Sequence, residues 1–223
     1  MTKLVIDLCA GLGGFSQAFK NDSNYEVITI ELNKKQKPTI CADVRYLPLR
    51  KNLKPAVQVA SPPCNHFSLA CLQFPRVGVK TALEIVGACF EAVAWLKPDL
   101  WLIENPRGRL RQIIGKPKQT IRYSDYDREI KMMKTTDLWG NLMLPMVKHE
   151  RRIRLSSGLT GMEQLHHYFP APHSSKYHSE ETKTGKKLQA ERAKIPLGVS
   201  MAVKEGVELH LLACSCQKVR EVV

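Results

Sequence analysis

The chain has 223 residues, 43% hydrophobic and 25% charged, with 34 Lys+Arg against 21 Asp+Glu and a formal net charge of +13. That much apolar material excludes intrinsic disorder, and no apolar run is both long and charge-free enough to cross a bilayer. Seven cysteines, an odd number scattered along the chain, fit reduced thiols rather than a disulfide framework. The N-terminus enters a strand-like run directly, so a reducing, cytoplasmic setting is expected.

In chain order, KLVIDLC reads as a buried strand, AGLGG as a turn, and Phe15, Ala18 and Phe19 as the apolar face of a helix. YEVITIE, TICADV and AVQVASP are further β-branched runs. From Val79 to Leu96 apolar residues recur every three to four positions, which predicts a helix that Lys97-Pro98-Asp99 ends. LWLIE is the next buried strand, and QTIRYS and TTDLWGNLML read as two more. Residues 155–187 are loop-like, rich in Ser, His, Gly and Pro, and an amphipathic helix follows from about Pro196 to Ala213. Alternating strands and helices predict one α/β domain over residues 1–223 with a largely parallel sheet.

The chemistry-bearing residues fall at the ends of these strands. Asp7 precedes a turn containing Gly11, Gly13 and Gly14, a strand–turn–helix that lets a nucleotide-like ligand approach the backbone. Ser16 stands where a dinucleotide fingerprint needs its third glycine, which argues against a nicotinamide enzyme. Glu31 and Asp43 end the next two runs, and three acids at successive strand ends mark the edge where open α/β sheets bind ligands. The AVQVASP run leads into Pro62-Pro63-Cys64-Asn65-His66, whose prolines stiffen the turn and hold the Cys64 thiol at that edge, as nucleophilic catalysis requires. LWLIE delivers Glu104-Asn105-Pro106. Cys64 and His66 have no second ligand pair at metal spacing, so no metal is expected.

DLCAGLGG, SPPCNHFS and ENP, in this order, together with Ile195-Pro-Leu-Gly-Val-Ser200, resemble the S-adenosylmethionine-dependent cytosine-5 DNA methyltransferases. LWGNL and AERAKIP are similar to a compact archaeal and viral branch. The resemblance implies a Rossmann-like class I methyltransferase sheet, mostly parallel with an antiparallel strand near the end and helices on both faces. It implies Cys64 as nucleophile, Glu104 as acid and Asn105 as its positioner. Asp7, Cys9, Gly11, Gly13, Gly14, Glu31, Leu32, Asp43, Val44, Pro63 and Ser200 would line the S-adenosylmethionine pocket. DNA is the implied substrate, reached by base flipping, with RNA, or an inactive nucleic-acid-binding relative, as alternatives.

Several positions depart from the family. Cys9 replaces an aromatic that packs on the adenine, Leu32 a hydrophobic and often aromatic residue after the ribose carboxylate, Asn65 replaces a glutamine, and Lys134-Thr-Thr-Asp-Leu-Trp139 stands where a paired-arginine motif belongs. Only residues 155–187 fill the interval of a target-recognition domain, so short or loose specificity is expected, or help from a protein partner or second copy. Between Arg107 and Arg154 lie thirteen basic and five acidic residues. Arg107, Arg109, Arg111, Lys134, Arg152 and Arg154 are the candidates for a nucleic-acid-binding rim.

Overall fold

The computed structural model describes residues 2–68, 78–127, 134–147 and 194–220, the stretch 214–220 by its backbone alone. Its strands are β1 (Lys3–Leu8), β2 (Tyr25–Glu31), β3 (Ile40–Cys41), β4 (Val57–Ala60), β5 (Leu100–Pro106), β6 (Gln119–Arg122) and β7 (Thr135–Gly140). The α-helices are α1 (Gln17–Lys20), α2 (Val79–Leu96), α3 (Leu110–Ile113), α4 (Tyr123–Tyr126) and α5 (Leu197–Arg220).

The strands form one seven-stranded sheet in the order β3-β2-β1-β4-β5-β7-β6. The pairs from β3 to β5 are parallel, whereas β7 runs antiparallel to both β5 and β6. This is the expected Rossmann-like α/β sheet, and its order reverses between β1 and β4. Ligands in such sheets bind beyond the carboxyl ends at that reversal, where the Asp7 and Cys64 loops emerge.

Alternation along the strands divides the core in two. Val5, Val57, Val59, Leu100 and Leu102 pack on one face with Phe15, Phe19, Val199, Val203 and Val207. Ile6, Leu8, Ile30, Ala60 and Ile103 pack on the other with Ala88, Cys89, Ala92 and Leu96 of α2. Both faces are thus covered by helices, which is why these strands read as nearly continuous apolar runs.

Helix α2 has the bounds its periodicity predicts. Lys97 ends it in a left-handed conformation (φ 55°), its N–H bonding the Val93 carbonyl, and Pro98 cannot continue it. Other elements differ from expectation. TICADV forms strand only at Ile40–Cys41, because Asp43 turns the chain by capping a 3-10 turn over Val44–Tyr46. The helix expected around Phe15 is a single turn, Gln17–Lys20. QTIRYS divides into β6 and the start of α4. Helix α5 continues to Arg220, and beside its buried Val199, Ala202, Val203 and Val207 it exposes Leu197, Met201, Leu209 and Leu212. Arg152, Arg154 and the 155–187 segment lie outside the described residues. Among the described residues no helix is long and apolar enough to cross a membrane.

Candidate active site

The loop after β1 is built around Asp7, which is 1% exposed. Its Oδ2 accepts a 2.6 Å hydrogen bond from the Ser16 hydroxyl. A dinucleotide fingerprint would have glycine at position 16; here the serine serves the carboxyl instead. Burial pushes the Asp7 pKa up to about 6, against the opposing pull of the Ser16 bond and the Lys20 charge. Cys9, at φ 51°, holds a left-handed backbone that non-glycine residues seldom adopt. A hydrogen bond with Cys89 and burial hold its thiol well above the usual range.

Gly11 and Gly13 are also left-handed, at φ 52° and 72°. A Cβ on Gly11 would meet nothing within 4 Å, so the turn faces open space there. The Gly11 N–H donates to Glu31 Oε2 at 3.0 Å, and the Asn33 N–H to Oε1 at 2.9 Å. The carboxylate ending β2 is therefore fixed by two backbone amides beside the glycine turn. Leu32 is 66% exposed next to it. Asp43 is engaged by Arg45, whose Nε, Nη2 and backbone N–H all donate to it, with the closest contact at 2.6 Å. That guanidinium holds the Asp43 carboxyl below its ordinary range. Val44 turns its side chain into the α2-side core.

Ser200 is fully buried in α5. Its hydroxyl donates to the Phe15 carbonyl at 2.7 Å and accepts from the Ala18 N–H at 2.9 Å. It therefore braces the glycine turn from behind rather than presenting a free hydroxyl. Gly14 meets the same tail, since a Cβ there would come within 2.7 Å of the Ile195 Cβ.

The second half of the site lies beyond β4 and β5. Cys64 is half-buried and outside any disulfide, and its carbonyl accepts from the Phe67 and Ser68 N–H groups at 3.0 and 2.9 Å. Pro63 beside it is exposed. The Phe67 carbonyl takes the Arg109 N–H at 2.8 Å, and Ser68 bridges Gly108. Only glycine permits that approach, because a Cβ at position 108 would stand 2.0 Å from the Phe67 carbonyl oxygen. Asn105, fully buried, donates from Nδ2 to the Pro62 carbonyl at 3.0 Å. The cysteine loop is thus tied to β5, one residue from Glu104.

Glu104 is 5% exposed, and its Oε1 accepts from the Thr136 hydroxyl and, at 3.2 Å, from the Tyr123 hydroxyl. Sequence reasoning missed both residues. They lie far from Glu104 along the chain and reach it through the antiparallel β5–β7–β6 pairing. The only hint was TTDLWG at the expected place of the paired arginines. Burial, and then the charges of Glu104 and Cys64, hold the Tyr123 phenol well above its usual range. The Lys134 ammonium stands 4.7 Å from the Tyr123 ring centroid.

The basic rim is only partly as expected. Arg107 is exposed and Arg109 half-buried at the β5 exit. Arg111 instead donates through Nε and Nη2 to both oxygens of the fully buried Asp137, with Nε to Oδ2 at 2.8 Å, and to the Thr120 hydroxyl. Its guanidinium thus neutralises a buried carboxylate at the edge of the expected rim. No cluster of three or more His, Cys, Asp or Glu able to hold a metal occurs among the described residues.

No family model matches the chain. The Type II methyltransferase M.AplI of Arthrospira platensis is 29% identical over 144 residues, which is 58% of this chain and 40% of that protein. The chain thus spans less than half the length of that relative. The methyltransferase EhMeth of Entamoeba histolytica superposes over 68% of this chain and 56% of its own, at 15% identity and a TM-score of 0.45. An Escherichia coli prophage protein assigned as a DNA modification methyltransferase superposes over 65% and 49%, at 17% identity and a TM-score of 0.44.

Proposed function

We propose that this relative of the DNA methyltransferases transfers a methyl group from S-adenosylmethionine to carbon 5 of cytosine in DNA through a covalent Cys64 adduct. The observation that carries the reading is the junction of the two loops. Asn105 bonds the Pro62 carbonyl, which sets a cysteine on a stiff proline turn beside a buried glutamate at one sheet edge. A nucleophile and a neighbouring acid are what addition across the 5,6 double bond of a pyrimidine requires.

The described residues fit the cofactor. The Gly11 turn opens onto free space, and Glu31 is held where its remaining lone pairs can accept ribose hydroxyls. Asp7 offers a buried carboxylate for a cationic group, and Asp43 can accept an exocyclic amine while it keeps Arg45. S-adenosylmethionine, when bound, supplies the methyl group that carbon 5 receives. Cys64 Sγ forms the bond to carbon 6 as Glu104 gives a proton to N3, and electron density moves to carbon 5. After methylation a base, supplied by solvent, takes the carbon-5 proton, its bonding pair restores the 5,6 double bond as the Cys64–carbon-6 bond breaks to give back the thiolate, and the N3 proton returns to Glu104. A target in a duplex must first be flipped out of the stack, with Arg107 and Arg109 on the phosphates.

The test is a panel of DNA, RNA and free nucleotide incubated with methyl-labelled cofactor, beside a Cys64→Ser control. Label in DNA cytosine that depends on Cys64 is expected. Label confined to RNA would move the substrate, and Cys64-independent label would overturn the covalent mechanism.

A further inference from the structure

Resting on that cytosine chemistry, we infer that Tyr123 and Thr136 are positioning residues that fix which oxygen of Glu104 carries the transferable proton. In the antiparallel register Glu104 stands opposite Leu138, and Thr136 opposite Pro106, so Thr136 lies diagonal to Glu104 on the same sheet face. Tyr123 follows β6, and its N–H bonds the Lys134 carbonyl at 3.0 Å, which anchors it one strand further out. Both hydroxyls end on the same atom, Glu104 Oε1.

An oxygen that accepts two O–H donors has its lone pairs engaged and is a poor place for a proton. The acid proton is thereby assigned to Oε2, the oxygen these two hydroxyls leave unengaged. Neither Tyr123 nor Thr136 can reverse the arrangement cheaply. Tyr123 is 1% exposed and Thr136 fully buried, so a turned-away hydroxyl would lose its partner without gaining water. The Lys134 ammonium over the phenol face adds a cation–π contact that holds the ring. Thr136 lies in the segment where the resembled family has its arginine pair. Both hydroxyls are uncharged donors to the Glu104 carboxyl.

The experiment is single-turnover formation of the covalent adduct on a duplex containing 5-fluorocytosine, at saturating DNA and cofactor. The proteins are wild type, Tyr123→Phe, Thr136→Val and Thr136→Ser. Phenylalanine keeps the ring and the Lys134 contact, and valine keeps the shape of threonine. Loss of either donor is expected to slow adduct formation about tenfold or more. Dissociation constants for DNA and S-adenosylhomocysteine should stay within about twofold, and Thr136→Ser should recover most of the rate. Wild-type adduct rates in Tyr123→Phe and Thr136→Val would overturn the inference. So would a Thr136→Ser variant as slow as Thr136→Val, which would mean that packing rather than the hydroxyl matters. A wild type that makes no adduct overturns the cytosine-5 reading and this inference with it, whereas a wild-type adduct with unaffected variants overturns this inference alone.

Discussion

Asp7 gives a direct handle on the proposed cofactor site, because its protonation is coupled to folding. Its carboxyl is buried and has a pKa of about 6 against an ordinary 3.8. A carboxyl whose folded pKa lies above its unfolded one binds more protons when folded. Its contribution to stability therefore falls as pH rises through the window from about 4 to 6, and is nearly flat above it. Just over two pH units at 1.36 kcal/mol each makes the full fall about 3 kcal/mol. In Asp7→Asn the amide oxygen can still accept from Ser16, so the neighbouring geometry survives while the titration is removed. Urea unfolding of both proteins from pH 4 to pH 8 should show Asp7→Asn gaining about 2 kcal/mol on the wild type across pH 4–6, with only a few tenths more above it. A difference between the two proteins that stays constant with pH would refute the reasoning. S-adenosylmethionine carries positive charge, so its affinity for the wild type should weaken below pH 6, and its affinity for Asp7→Asn should not.

Four further substitutions probe other parts of the site. Ser200→Ala strands the Phe15 carbonyl and the Ala18 N–H, costing about 1–3 kcal/mol in chemical denaturation, and it should raise the dissociation constant for S-adenosylhomocysteine by calorimetry. Gly108→Ala forces the β5 exit away from Phe67; adduct formation should be lost while S-adenosylhomocysteine binding is kept. Arg107→Ala should reduce the slope of log affinity for DNA against log salt by about 1. Arg111→Gln should leave that slope unchanged and lower stability by about 1–3 kcal/mol, because it uncovers the buried Asp137.

What was legible in the sequence was whatever depends on one strand and the turn after it. The acids and glycines of the β1 and β2 ends, the Pro62–Cys64 turn and Glu104-Asn105 are each local, and apolar periodicity placed α2 from end to end. The misses share a physical cause. Asp43 caps a turn where a strand was expected, and Arg45 folds back onto it. Arg111 reads as a surface charge until the pairing of β6 with β7 puts Asp137 and Thr120 beside it. Tyr123 and Thr136 reach Glu104 only once β7 has reversed direction against β5. The chain fixes what a residue is, but antiparallel register decides what it meets, and register has no local signature in these short strands.

The geometry also predicts how defects should separate. Asp7, Glu31 and the Ser200 brace belong to β1, β2 and the tail helix, and they converge on the glycine turn. Cys64, Asn105, Glu104, Tyr123 and Thr136 belong to β4 through β7 and converge on the cysteine loop. The halves meet where β1 pairs with β4, and the Ser61 N–H bonds the Leu8 carbonyl at 3.1 Å across that seam. Variants of the first half should therefore weaken cofactor binding with the rate of adduct formation intact at saturation. Variants of the second half should slow adduct formation with cofactor binding intact. Residues > 7–10 Å apart with no shared partner contribute additively, so double variants across the seam should multiply their separate effects. A strongly non-additive pair such as Asp7→Asn with Thr136→Val would mean that the two loops move as one unit, and the division at β1 and β4 would have to be abandoned.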